Sequence, residues 1–469
     1  MSASSLSYEL MEASPSAIDI GNVRECIIDI KRAALDSNSG PADPGEYVTL
    51  RKRLIPCEGK LPPLYRDNVF TPYMETLDKI KEEGFNDILR KDPTREDNAG
   101  LMLDIAQAIL QKGEGYYQKP TDALQEVVSD LYDGFLSAED RRGVKYADYR
   151  VIAPLVKWGR PDFGPYTWPA DATASFGLKT GVVNLPPANA THGLLAWSAL
   201  AHETAGHDIL SADEGLAAEL ATTLYRALQD SGVPDVLPKY WSDRMDETAS
   251  DVMGTLNMGP AVGIGLIGYF RGLNAAYSKD HKPVLRCAGP LSDPHPADIL
   301  RGYLAASVVK RLSFSGAADW SKVLEAETDK DVTTIMVGLT VIERDDAKKS
   351  AEVVAETLVH SKMQALENHS LADIQDWRDQ DEQIVRDIRP VLSTACQCPE
   401  AYVRGFYAAH VVAAAVLEGL SKDADLPVIF DRMQLILKIM HDANPSWGPL
   451  YVMHPGDMSS IKAYLPHEV

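Results

Sequence analysis

Cysteine is scarce: Cys26, Cys57, Cys287, Cys396 and Cys398 are the 5 in 469 residues, odd in number and scattered. That excludes a disulfide framework and predicts a reduced compartment. Positive charge is short as well, with 46 Lys and Arg against 68 Asp and Glu for a net charge of −22. No run of Lys and Arg makes a local basic patch, so phosphate backbones are repelled and nucleic acid is not an expected partner. The opening segment, MSASSLSYELMEASPSAIDIG, has acids where a secretory leader carries basic residues, and it has no apolar stretch. The expectation is a cytoplasmic protein. Long apolar runs are missing with one exception. Residues 252–270 carry no charge over about 19 positions, near bilayer-spanning length, yet they include Gly254, Gly259, Gly263, Gly265, Gly268, Pro260 and Asn257. They read as a buried, interrupted helix, and no membrane is expected as a partner. The chain also lacks a G-x-S-x-G elbow and a G-x-x-x-x-G-K-[ST] loop, so serine-hydrolase and P-loop chemistry find no support.

What is there is an ordinary globular composition, 45% hydrophobic and 24% charged, able to build a large core. At about 150 residues per domain the length allows two or three domains. Apolar residues recur at helical spacing over 70–90, 122–136, 348–388, 400–420 and 426–441. A strand signal lies at 174–186, where short runs at 176–178 and 182–185 flank Lys-Thr-Gly and read as a hairpin. The expected fold class is mainly α (α+β), divided into an N-terminal helical region (1–150), a catalytic α+β region (151–310) and a C-terminal helical region (311–469). No internal repeat or low-complexity tract is present.

The chemistry concentrates at THGLLAWSALAHETAGHDIL, 191–210, a helix predicted to be capped by Thr191. It is apolar nearly all round until His202, Glu203 and His207. Burying two imidazoles and a carboxylate is costly unless they are paired or bind a metal. About 40 residues on, Glu247 and Asp251 stand one turn apart on one face of a second helix. A catalytic zinc takes three His or carboxylate ligands and keeps a position for water, whose pKa falls to about 7. The roles then fall to His202, His207 and Glu247 as ligands, to Glu203 as general base, and to Asp251 as the acid that orients a ligand imidazole. Asp208, Asp213, Glu214 and Glu219 are rival third ligands. The spacing is unusual, because histidines five apart point about 140° from each other on a regular α-helix. Both reach one ion only if the helix is overwound or bulged into a π-turn, which Gly206 would ease.

HETAGH followed by DETASD resembles the zinc peptidases of the dipeptidyl peptidase III type, whose active helix reads H-E-x-x-G-H and whose second helix carries E-E-x-x-A-(D/E). Glu247 to Asp251 is similar also to the E-x-x-S-D element of thermolysin-like gluzincins. The likeness spans residues 200 to 255. It implies a zincin-like metallopeptidase that hydrolyses a peptide bond with a metal-activated water, and it puts Asp246 at the first acid of the family's pair. The expected cofactor is Zn2+ and the expected partner a peptide or small amide substrate. Two other readings stand beside it: a zinc enzyme acting on a non-peptide amide or ester, and a catalytically silent helical binding protein.

Weaker signals complete the picture. The hairpin at 174–186 precedes the histidine helix, where an edge strand can pair with an extended substrate. His295, with Tyr303 nearby, is a candidate for stabilising the oxyanion of a tetrahedral intermediate. Gly263, Gly265 and Gly268 match G-x-G-x-x-G but lack a surrounding βαβ unit, so they read as close helix packing. Cys396 and Cys398 read as two free thiols.

Overall fold

Helical periodicity becomes helix along most of the chain. The computed structural model describes residues 18–136, 144, 145, 148, 152–161, 164–394 and 407–447, and it is mainly α with 67% helix and 6% strand. The longer helices are α1 (Val23–Ala34), α2 (Thr71–Lys91), α3 (Asn98–Glu114), α4 (Gln118–Leu136), α5 (Leu216–Asp230), α6 (Met245–Met258) and α7 (Pro260–Tyr277). After them come α8 (Asp298–Val309), α9 (Ala317–Asp329), α10 (Arg344–His360), α11 (Asp379–Ser393), α12 (Ala408–Leu420) and α13 (Leu426–Ala443). In α5 the apolar stripe is explicit: Leu216, Leu220, Leu224 and Leu228 repeat every four residues and all are buried. Cys396, Cys398 and the start of the helix expected at 400 lie outside the described residues.

Two expectations need correction. The long helix expected over 348–388 is broken after His360. There Met363 bridges His369 in antiparallel fashion, and the Glu219 carboxylate accepts from the amides of Gln364 at 2.7 Å and Ala365 at 2.9 Å. Bonds from a distant helix replace the helical ones, which the local periodicity does not reveal. The hairpin at 174–186 does not form either. Residues 174–176 make a 3-10 turn ending at Gly177, whose φ of +84° suits glycine, and the Thr173 hydroxyl closes the loop onto the Thr180 carbonyl at 2.7 Å. Only Val182–Leu185 is a strand, and its partners come from farther away.

That strand, β3, is the centre of a three-stranded sheet of order β1-β3-β2, with β1 (Leu155–Trp158) parallel and β2 (Tyr166–Trp168) antiparallel to it. Side chains alternate across it with period two. Leu155 and Val182 enter a smaller apolar core built mainly from residues 50–110. Val156, Trp158, Val183 and Leu185 enter a larger core that runs from α1 to α13. On β2, Tyr166 and Trp168 donate to Asp104 Oδ2 of α3, each at 2.8 Å, while Thr167 faces the other way. A second sheet, β4 (Ala288–Gly289), β5 (Ile335–Val337) and β6 (Thr340–Ile342), leads from β4 into the loop that carries His295.

Residues 252–270 are buried and interrupted, as expected. Gly259, at φ +64°, ends α6 and Pro260 begins α7, and a side chain at 259 would meet the Trp377 indole at 2.6 Å. No helix among the described residues is long and apolar enough to cross a membrane. The G-x-G-x-x-G glycines lie inside α7, where Gly265 and Gly268 leave room for Ser198 and Leu195 of the histidine helix.

Candidate metal centre

The histidine helix starts later than its sequence suggests. Thr191 does not cap it; the first turn is Leu194–Ser198, preceded by Gly193 at φ +83°. Its first amides, Gly193 and Leu194, are taken instead by Asp29 Oδ2 of α1, at 2.8 and 3.0 Å. An α-turn, Ala199–His202, follows, and then a π-helix, Glu203–Asp208. The wider π-turn is the distortion that the five-residue spacing predicts. It brings the two imidazoles face to edge with ring centres 4.9 Å apart.

Gly206 serves more than flexibility. A Cβ there would stand 1.8 Å from Ser250 Oγ, and one on Gly254 would stand 3.1 Å from the Ala201 and His202 backbone. The two glycines let α6 lie directly against the π-turn, which sets Glu247 between the histidines.

The resulting geometry is specific. His202 Nε2 lies 3.3 Å from Glu247 Oε2, and His207 Nε2 lies 3.6 Å from Oε1. The opposite ring nitrogens are anchored: His202 Nδ1 to Asp251 Oδ1 at 2.8 Å and His207 Nδ1 to Asp246 Oδ2 at 2.7 Å. A carboxylate only accepts, so each Nδ1 donates its proton outward, and in the neutral imidazole each Nε2 offers a lone pair inward. Glu203 closes one side. Donor atoms of His202, Glu203 and His207 lie within 4.8 Å of one another, as do those of His207, Asp246 and Glu247. Glu203 Oε2 accepts from the Thr167 hydroxyl of β2 at 2.9 Å.

The site residues read from sequence therefore converge: His202, His207, Glu203, Glu247, Asp246 and Asp251 meet here. His295 joins them, its Nε2 3.3 Å from Glu247 Oε1. Tyr303 does not. It stands two residues past Arg301 on α8, about 200° around the axis, and its hydroxyl bonds Asp329 at 2.7 Å instead. Of the rival acids, Asp213 pairs with Lys145 and Glu219 binds the 364–365 amides, while the side chain of Asp208 is outside the described part. Arg301 and Thr167 join the site without any signal in the sequence. Arg301, stacked over the Phe270 ring, grips Asp251 with Nε at 2.7 Å and Nη2 at 2.8 Å.

The electrostatics favour positive charge beside Glu247. Burial opposes charge on His202, but Asp251 and Glu247 on either side outweigh it and raise its pKa to about 10. Burial would raise the Glu247 carboxyl, yet His202, Arg301 and His207 hold it well below the usual range. Glu247 Oε2 is buried and has no hydrogen-bond donor. The three inward contacts, at 3.3 to 3.6 Å, are too long for charge-assisted bonds of about 2.7–2.9 Å. Imidazole and carboxylate together suit a divalent transition metal, so these residues fit one. Comparison with protein families, curated protein sequences and solved structures finds no match for this chain.

Proposed function

We propose that this chain is a zinc-dependent metallopeptidase of the gluzincin kind. The observation that supports it most is the set of inward-facing nitrogens around Glu247, with Glu203 beside them. His202, His207 and Glu247 would hold the ion. Zinc, when bound, supplies Lewis acidity and lowers the pKa of a water to about 7. The chain supplies the rest. Glu203 receives a proton from the attacking water and passes it to the leaving amine, and the Thr167 hydroxyl fixes its carboxylate for that transfer. Asp251 and Asp246 hold the imidazoles in one tautomer. β2 is an edge strand whose outer side pairs with no strand among the described residues, and it lies next to Glu203. An extended peptide bonding to that edge would bring its backbone to the metal, which favours a peptide over a small ester.

Metal analysis and a peptide-library digest test this reading. The purified protein should carry about one zinc per chain, lose activity to a chelator and regain it with zinc. Glu203→Gln should keep the metal and lose about 10²-fold or more in turnover, whereas Glu247→Ala should lose the metal itself. Metal-loaded protein that leaves every peptide in the library intact would remove the peptidase assignment.

A further inference from the structure

We infer that His295 is a fourth protein ligand of the metal, so that the site is built from three imidazoles and one carboxylate. This rests on the metal reading above and departs from the oxyanion role suggested by its sequence position. His295 repeats the pattern of the two helix-borne histidines. Its Nδ1 lies 3.1 Å from Asp293 Oδ1, and its backbone amide donates to the same oxygen at 2.9 Å. With Nδ1 turned to that acceptor, Nε2 points at Glu247 Oε1, 3.3 Å away. His207 Nε2 addresses the same oxygen at 3.6 Å. Three histidines thus present Nε2 to one carboxylate, each anchored through Nδ1 by its own aspartate: Asp251, Asp246 and Asp293.

The loop is built to hold that posture. Arg244 Nη2 donates to the carbonyls of Pro290 and Leu291 at 3.0 Å each and of Asp293 at 2.6 Å. Arg286 pairs with the Asp293 carboxylate, and the Tyr240 hydroxyl accepts from the Ala297 amide at 2.9 Å. Arg244 immediately precedes α6, so the loop is tied to the element that carries Glu247. The His295 side chain is 49% exposed and closes the outer side of the site, while His202, His207 and Glu247 close the inner side.

X-ray absorption of the zinc-loaded wild-type chain, together with zinc and cobalt titration of His295→Ala, decides the matter without an activity assay. Three imidazoles per metal are expected in the wild type. A supporting carboxylate alone is worth about 10- to 100-fold in affinity, so His295→Ala should lose about 100-fold or more. Its cobalt spectrum should shift, and added imidazole should restore the wild-type spectrum. Two imidazoles in the wild type, with unchanged affinity and cobalt spectrum in the variant, would overturn the fourth ligand and leave the two-histidine site standing. A wild-type chain that binds neither zinc nor cobalt in stoichiometric amount would overturn both.

Discussion

Ser250 occupies the space that a side chain on Gly206 would need: a Cβ at 206 would stand 1.8 Å from Ser250 Oγ, 2.0 Å from its Cβ and 2.3 Å from its Cα. The π-turn and α6 pack directly together there, and the distances from His202 and His207 to Glu247 depend on that contact. Gly206→Ala should cost more than the 1–3 kcal/mol typical of an overpacked core and should release the metal. Because the Ser250 Cα is itself in the way, adding Ser250→Gly should not restore either property. Thermal denaturation and metal content of the single and double variants check this.

Asp246 and Asp251 both anchor imidazoles but differ in their surroundings. The Asp246 side chain is 63% exposed, whereas Asp251 is buried against Arg301. Asp246→Asn should weaken zinc binding by about tenfold, toward the low end for such supporting acids, with the denaturation midpoint unchanged. Asp251→Asn should weaken zinc binding by about 100-fold and also destabilise the fold, since it strips a buried guanidinium of its counter-charge. Equal effects of the two variants on stability would contradict the burial difference.

Thr167 hydrogen-bonds Glu203 and none of the residues proposed to hold the metal. Thr167→Val keeps the shape of β2 but removes one hydrogen bond to a carboxylate, a loss of about 1.5 kcal/mol or more. On a cleaved peptide, kcat should fall by about tenfold while zinc content and KM stay close to wild type. A change in KM alone would assign Thr167 to substrate binding.

Glu126 of α4 is buried against α13, and burial together with Asp130 pushes its carboxyl from 4.5 up to about 9. The folded chain keeps a proton there that the unfolded chain releases above pH 4.5. The associated stability is complete at low pH and is lost as pH rises towards about 9. Glutamine mimics the protonated acid and does not titrate. The stability of Glu126→Gln relative to wild type should therefore climb across that window, by at most about 1.4 kcal/mol per pH unit. Urea denaturation near pH 5 and near pH 8 measures the climb; a difference that stays constant between them would show that Glu126 is ionised in the fold.

The parts of the site that announced themselves in the sequence are those governed by one helix at a time. His202 and His207 are five apart, which fixed the need for a π-turn, and Glu247 and Asp251 are four apart, which put them on one face. Arg301, Thr167, Asp293 and Asp29 carry no comparable spacing. Each is a single residue on another element, and only the tertiary fold brings it to its partner. The same division runs through the strands. The apolar run at 182–185 is legible as β3, but its neighbours at 155–158 and 166–168 are set by pairing across the chain, so the local pattern suggests a hairpin where a three-stranded sheet exists. Helix boundaries failed where a distant acid took over the capping, as Asp29 does at Gly193 and Glu219 does at Gln364.

The alternation of β1 and β3 between the two cores has a mechanical meaning. Leu155 and Val182 are held by one core, and Val156, Val183 and Leu185 by the other. Neither core can loosen without exposing half of the same short strands. β2 hangs on β3 through Val183 opposite Thr167, so slackening of the smaller core, which contains none of the metal residues, would reach Glu203 through that ladder. The centre is thus hostage to packing on the far side of the sheet, and a destabilising change among residues 50–110 would read out as lost chemistry before it read out as an unfolded chain.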